Sequence, residues 1–111
     1  MGAGRGFADD TELAEIATLG VCVNLQVGEP LLAAALQPVA ATAWARLAGD
    51  AGPDDLLREA RRARRELRMA AGAMTERRFL ASVIRHATHQ RRGISDGPPK
   101  IVPGTGVTRS S

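Results

Sequence analysis

Apolar residues recur every three or four positions along most of the chain, and this spacing predicts α-helices. The clearest case is segment 54–74, in which one narrow stripe is apolar: Leu56, Ala60, Ala63, Leu67, Ala70 and Met74. Spacing that alternates between four and three is typical of a helix that packs lengthwise against another helix. Arginines cover the other side at Arg58, Arg61, Arg62, Arg64, Arg65 and Arg68. We therefore predict an amphipathic helix with its apolar side in the core.

Polar and helix-breaking residues mark the ends of the earlier helices. Asp9, with Glu12 three positions later, predicts a capping box that opens the first helix, and Gly20 is a natural place for that helix to stop. Pro30 in a first helical turn predicts a second, apolar helix. Pro38 should kink or split this second helix, because proline lacks an amide hydrogen and its ring crowds the preceding turn.

The arginine-rich helix cannot continue straight into the apolar pattern that follows it. In one continuous helix, the apolar residues after position 78 would lie on nearly the opposite side from the earlier stripe. A break at 71–74 resolves this conflict, with Thr75 as the N-cap of a last helix over 75–91. Gly93 follows a run of cations, which is typical of a helix C-terminus.

Segment 21–27 fits two structures. Its β-branched and apolar residues occupy alternate positions, which is typical of a β-strand. The same segment also continues the helical spacing of the residues before it, so a single helix over 10–27 fits as well. A strand needs a partner, and the one other suitable segment is 100–102, which Pro103 curtails. We therefore favour the helix and keep the strand as the alternative.

These elements predict an all-α protein, a small antiparallel bundle of three to five helices. We divide the chain into a flexible N-terminus over 1–8, a helical domain over 9–92 and an extended or disordered tail over 93–111, where turn-forming residues are abundant. Trp44 is the largest apolar side chain and the expected anchor of the core. The predicted core comprises Leu13, Ile16, Val23, Leu32, Trp44, Leu56, Leu67, Phe79, Val83 and Ile84.

The distribution of charge suggests a binding surface. The formal net charge is +3, but residues 1–57 hold two arginines against eight acids, a net −6, and residues 58–111 hold thirteen basic residues against four acids, a net +9. Guanidinium groups bind phosphate and carboxylate in a bidentate manner. A solvated or internally neutralised helix face explains the same arginines, and the sequence leaves both interpretations open. The candidate binding residues are Arg58, Arg61, Arg62, Arg64, Arg65, Arg68, Arg77, Arg78, Arg91 and Arg92.

One stretch resembles a known family. Residues 22–27 (CVNLQV), followed by 29–32 (EPLL), are similar to the start of a ribbon-helix-helix DNA-binding protein. The resemblance implies a strand that pairs across a dimer and enters the major groove, where Asn24 and Gln26 would read base edges. It extends over 21–68, with AGPDDLLREARRA as the second helix of the motif.

No group of residues in the sequence predicts catalysis, a metal site or a cofactor. His86 and His89 with Cys22 make a poor metal site, because no acid lies near the two histidines in the sequence. Ser82 and His86 are four positions apart, but their helix offers no acid that could orient the histidine as a base. Cys22 is the only cysteine, which fits a reducing compartment.

The sequence favours a cytoplasmic protein with no membrane and no small-molecule substrate as partners. The longest uncharged stretch, 30–45, is too short to span a bilayer, and the N-terminus lacks the apolar run of a secretion signal. We expect a non-enzymatic assembly or adaptor protein that oligomerises, as part of a larger assembly such as a viral or ribonucleoprotein particle. Its arginine-rich face and tail would bind an acidic protein surface or nucleic acid. The alternative is a DNA-binding regulator, either ribbon-helix-helix-like or contacting phosphates through its helices.

Overall fold

The computed structural model describes residues 7–96, which form helices and the turns between them. This part of the chain contains no strand, so the prediction of an all-α bundle is confirmed. Within it, no helix combines the length and the apolar character needed to cross a bilayer. Most of the predicted N-terminus and tail, 1–6 and 97–111, lies outside the described residues. The helices are α1 (Asp10–Gln26), α2 (Pro30–Leu47), α3 (Pro53–Glu66) and α4 (Met74–Asp96).

Segment 21–27 lies in α1 up to its C-cap at Val27, because the helix continues through Gly20. The strand alternative is therefore wrong, and so is the ribbon implied by the family resemblance. The backbone amides and carbonyls of this segment need hydrogen-bond partners. A helix supplies these partners within the segment, whereas a strand would need a second strand, and no other described segment is one. Gly20 allows a close approach to α2 instead of stopping the helix: a Cβ there would lie 3.0 Å from Cδ1 of Leu36.

The predicted cap of the first helix is present with one change. The carboxylate of Asp9 accepts a hydrogen bond from the amide of Glu12 at 2.8 Å. The carboxylate of Glu12 accepts from the amide of Ala8, not from that of Asp9. Asp9 is therefore confirmed as the N-cap, and its side chain satisfies one of the amides that the first turn leaves without a partner.

A glycine with positive φ follows each of the first two helices. The φ angles are 78° at Gly28 and 82° at Gly49. After α2, the amide of Gly49 donates to the carbonyl of Arg46 at 3.1 Å, and the amide of Asp50 donates to that of Ala45 at 2.8 Å. These two bonds form a Schellman motif, which satisfies carbonyls that the last turn leaves free. The chain leaves the helix axis at these glycines and connects successive helices.

The break between the last two helices is confirmed, but it begins earlier than predicted. Leu67 is already the C-cap of α3, and the turn that follows contains Gly72 at a φ of 78°. Thr75 lies inside α4, so its assignment as the N-cap is wrong. Because the turn interrupts the apolar stripe, Leu67 is fully buried whereas Met74 is exposed.

Two predicted helix ends are absent, a split of α2 at Pro38 and an end of α4 before Gly93. The α2 helix is continuous with Pro38 inside it, because packing against α1 and α3 compensates for the hydrogen bond that proline cannot make. The α4 helix passes Gly93 and ends at Asp96. Pro98 follows two positions later in the sequence, and proline disfavours helical backbone at the residue before it.

The helices pack as two hairpins, α1 with α2 and α3 with α4, which meet mainly through α2 and α3. Among the residues whose burial the structure describes, alanine contributes ten of the nineteen buried apolar residues, so the helices approach closely. The core prediction is confirmed for the buried residues Leu13, Leu32, Leu56, Leu67 and Val83, and in part for Phe79 and Ile84. It is wrong for three exposed residues, Ile16, Val23 and Trp44.

Trp44 lies at the edge of the core, next to two buried alanines of α2. Ala40 and Ala43 are buried, whereas Trp44 is 44% exposed. Its Nε1 donates a hydrogen bond to Oγ1 of Thr18 at 2.8 Å. The ring therefore covers the outer side of the contact between α1 and α2 and keeps its polar group paired.

Four polar side chains, which we call the polar cluster, connect α1, α2 and α4. Oδ1 of Asp10 lies 2.8 Å from Nε2 of His86 and accepts from Nε2 of Gln90 at 2.8 Å, and its Oδ2 accepts from Nη2 of Arg46 at 3.2 Å. Burial acts to raise the pKa of Asp10, but the hydrogen bonds from His86 and Gln90 and the charge of Arg46 together hold that pKa below its ordinary value. The cluster therefore links the first hairpin to the second.

We predict that Gly49→Ala destabilises the protein by about 1–2 kcal/mol, because an L-residue at this positive φ is strained. Urea unfolding followed by circular dichroism measures the change. Gly93→Ala is the matched control: Gly93 has helical backbone and open space around it, so the same substitution should stabilise α4 by up to about 1 kcal/mol. Equal effects of the two substitutions would contradict the assignment of the turn.

Asp10→Asn should lower the free energy of unfolding at neutral pH by about 1–3 kcal/mol, because Arg46 would lose its carboxylate. The folded pKa of Asp10 is below its unfolded value of 3.8, so its contribution is complete above that value and is lost as pH falls through the folded pKa. The difference between variant and wild type should therefore shrink in acid, as measured by urea unfolding at several pH values.

Asp9→Asn is the control for this prediction. It removes the same charge one residue away, and asparagine caps a helix about as well as aspartate does. We expect little change in stability at any pH. If both variants lost the same stability, the polar cluster would not be the cause.

Candidate functional site

The first turn of α3 concentrates negative charge at the positive end of the helix dipole. Asp54 and Asp55 follow Pro53, and the amide of Gly52 donates to Oδ2 of Asp55 at 2.8 Å. This bond, together with the guanidinium of Arg58, holds the pKa of Asp55 below its usual range. The N-terminal part of the arginine helix therefore carries its own counter-charges.

Three of the predicted binding arginines form ion pairs within the protein. Arg58 lies 3.1 Å from Oδ1 of Asp55, and Arg91 of α4 lies 3.1 Å from Oδ1 of Asp54. Arg62 pairs with both Glu59 and Glu66, and the hydrogen bonds that it donates to the carboxylate of Glu59 raise the pKa of Arg62 above its ordinary value. The neutralised-face interpretation is thus correct for this part of α3.

The C-terminal part of α3 is different. Arg64, Arg65, Arg68 and Arg77 line a hollow of about 240 Å³ where α3 turns into α4, and no carboxylate lines it. We call this hollow the turn cleft. Nη1 of Arg77 donates to the carbonyl of Arg68 at 2.8 Å, which ties the start of α4 to the turn. Among the described residues, these four arginines have no ion-pair partner.

A second hollow of about 290 Å³ lies beside the turn cleft. Its basic residues are Arg58, Arg61, Arg65 and Arg91, and Asp54 and Leu57 complete it. We call it the flanking cleft. Arg65 lines both hollows, so the two clefts are adjacent along α3. Asp54 reduces the positive charge of the flanking cleft, whereas no acid lines the turn cleft.

The remaining predicted residues lie elsewhere. Arg62, Arg78 and Arg92 are exposed and line neither cleft. Asn24 is buried, and its Nδ2 donates to the carbonyl of Gly20 at 2.8 Å and to Oε2 of Glu76 at 3.0 Å. Its amide therefore holds α1 against α4, and its prediction as a base-reading residue is wrong. Gln26 is exposed on a helix, not on a ribbon.

The tertiary structure supplies a histidine partner that sequence reasoning missed. Asp10 orients His86 from another helix, 76 positions away in the sequence. The hydroxyl of Ser82 accepts a hydrogen bond from Nη2 of Arg85 at 3.1 Å. The described hydrogen bond of Ser82 is therefore to Arg85 and not to His86. Residues 7–96 contain no group of three His, Cys, Asp or Glu side chains placed to hold a metal ion. No local signal in the sequence connects position 10 with position 86.

Comparison with known proteins adds no assignment: no family model, no curated protein and no solved structure matches this chain. The chemistry of the two arginine-lined clefts therefore carries the functional conclusion.

Proposed function

We propose that this protein is a non-enzymatic assembly or adaptor protein of the cytoplasm, which self-associates and holds an anionic macromolecule against its arginine surface. The turn cleft carries the proposal. Its four guanidinium groups come from two helices and a turn, and no carboxylate of the described residues balances them. A partner that supplies negative charge at this position would complete the surface.

The electrostatics of α3 support this proposal. Arg64 and Arg68 are like charges at i and i+4, which costs a few tenths of a kcal/mol in a helix. The acids of α3 relieve Arg58 and Arg62 but not the residues of the turn cleft. Bound phosphate or carboxylate groups would relieve the repulsion and gain bidentate hydrogen bonds with guanidinium. The free energy gained on binding is therefore largest at the turn cleft.

A DNA-binding regulator that contacts phosphates through its helices is the second candidate, and the adjacent positions of the two arginine-lined clefts favour it. Arg61 and Arg65 are about 6 Å apart along the axis of α3, and Arg68 lies in the turn that follows this helix. One strand of a duplex carries a phosphate about every 3.4 Å along its axis, so several guanidinium groups in this region can contact phosphates of the same strand. The clefts contain no aromatic side chain for base stacking, which favours contacts to the backbone of a duplex.

We predict that the double variant Arg65→Gln, Arg68→Gln weakens binding to a short mixed-sequence duplex and lowers the slope of log K against log salt by about 2, because each lost phosphate contact removes about 0.9 from the slope. Fluorescence anisotropy at several salt concentrations measures this. The matched control is Arg78→Gln, Arg92→Gln, which removes the same charge from outside both clefts and should leave the slope nearly unchanged.

The identity of the anionic partner is tested with two probes, the duplex and poly-L-glutamate. Binding of poly-glutamate that requires Arg65 and Arg68 supports an adaptor for an acidic protein, and binding restricted to the duplex supports the regulator. If neither probe binds at low salt, both candidate functions fail. If the control variant weakens binding as much as the cleft variant does, the turn cleft is not the site.

A further inference from the structure

The second half of α1 exposes an apolar stripe that no other described helix covers. Residues 16–27 include no charged side chain. Ile16, Leu19, Val23 and Val27 follow one another at intervals of three, four and four, so they share one face of the helix. They are 38%, 61%, 44% and 64% exposed, respectively. We call these four residues the α1 stripe.

The α1 stripe borders a groove between α1 and α4. The groove has a volume of about 240 Å³, and Gly20, Leu36 and Phe79 lie along it. Glycine at position 20 deepens the groove, because it adds no side chain between the stripe and α2. The hydrogen bond from Asn24 to Glu76 joins the two helices beside the groove and keeps their polar groups paired. The surface left for a partner is therefore mainly apolar.

The distribution of charge makes the α1 stripe the surface at which a second copy of the chain can bind. The chain has a net charge of +3, and its exposed arginines would repel a second copy that approached α3 or α4. The α1 stripe is uncharged, so two copies can meet there without this repulsion. The acids of α1 lie at or before position 15, and antiparallel pairing of the two stripes keeps the acidic ends of the two helices apart.

The order of residues in the α1 stripe fits a two-fold axis. In an antiparallel pair centred between positions 21 and 22, Ile16 faces Val27 of the second copy and Leu19 faces Val23 of the second copy. The centres of these two pairs differ by half a residue, or about 0.75 Å along the helix. The stripe is thus self-complementary, as an isologous interface requires.

We propose that two copies of this protein associate through antiparallel α1 helices, with the two α1 stripes packed against each other. This interface gives a structural form to the self-association that is part of the proposed function. The inference rests on that part of the proposed function. The clefts lie on α3 and α4, so binding of the duplex or of poly-glutamate can fail or succeed separately from dimer formation. Packing the two stripes together removes eight large apolar side chains from water.

Sedimentation of the full chain at micromolar concentration tests the proposal with Leu19→Glu and Leu25→Glu. The two leucines are equally exposed, at 61% and 60%, but Leu25 lies about 120° around the helix from Leu19 and outside the stripe. Wild type and Leu25→Glu should be dimers, whereas Leu19→Glu should raise the dimer dissociation constant by at least about a hundredfold, since each dimer would bury two new carboxylates.

Disulfide trapping tests the orientation of the helices. In a Cys22→Ser background, chains with Leu19→Cys are mixed with chains with Val23→Cys under mild oxidation. Antiparallel pairing predicts that the mixed disulfide forms faster than either homodisulfide. Faster formation of the homodisulfides would overturn the antiparallel arrangement.

Three results would overturn the proposed interface: a wild type that sediments as a monomer, a Leu19→Glu variant that remains a dimer, or equal weakening by both glutamate substitutions. Circular dichroism of both variants checks that the helices are retained, and duplex binding by Leu19→Glu reports separately on the turn cleft. A monomeric wild type that still binds the duplex through Arg65 and Arg68 would leave the second candidate function intact and remove the dimer.

Discussion

Alanine lines most of the contacts between helices, and its small side chain allows the helices to approach closely in this protein. Close approach brings α1 and α2 together at Gly20 and leaves little volume for large side chains between the helices. Trp44 lies at the edge of this core, and the α1 stripe lies on a side of α1 that no other described helix covers. A core of this kind removes less apolar area from water per residue than a core of leucine would, so the monomer gains less from burial.

Specific polar contacts compensate in part for the small core. Asp10 holds His86, Gln90 and Arg46, and Asn24 joins Glu76, so in each case a buried or half-buried group of the first hairpin meets one of α4. Hydrogen bonds of this kind favour one orientation of the two hairpins, because these polar side chains would lose their hydrogen-bond partners in any other orientation. The same contacts hold the pKa of Asp10 below its ordinary value, so we expect their contribution to stability to be lost in acid.

The acids of α3 divide its arginine surface into two parts. Near the start of the helix, Asp55, Glu59 and Glu66 neutralise Arg58 and Arg62, and Asp54 pairs with Arg91 of α4. At the turn, the chain brings Arg77 next to the end of α3 and adds a fourth guanidinium without adding an acid. The most positive part of the surface is therefore produced by the turn, where two arginine-bearing segments meet.

The sequence by itself determined that the protein is helical, where most of its helices begin, and which side of α3 is basic. Periodicity and local capping carry this information, because each depends on residues only a few positions apart. Tertiary structure decided that segment 21–27 is helical, that Trp44 is exposed, that His86 meets Asp10, and which arginines form ion pairs across α3 and α4. These outcomes depend on how closely the helices pack and on contacts between distant positions, and no local pattern in the chain encodes either of them.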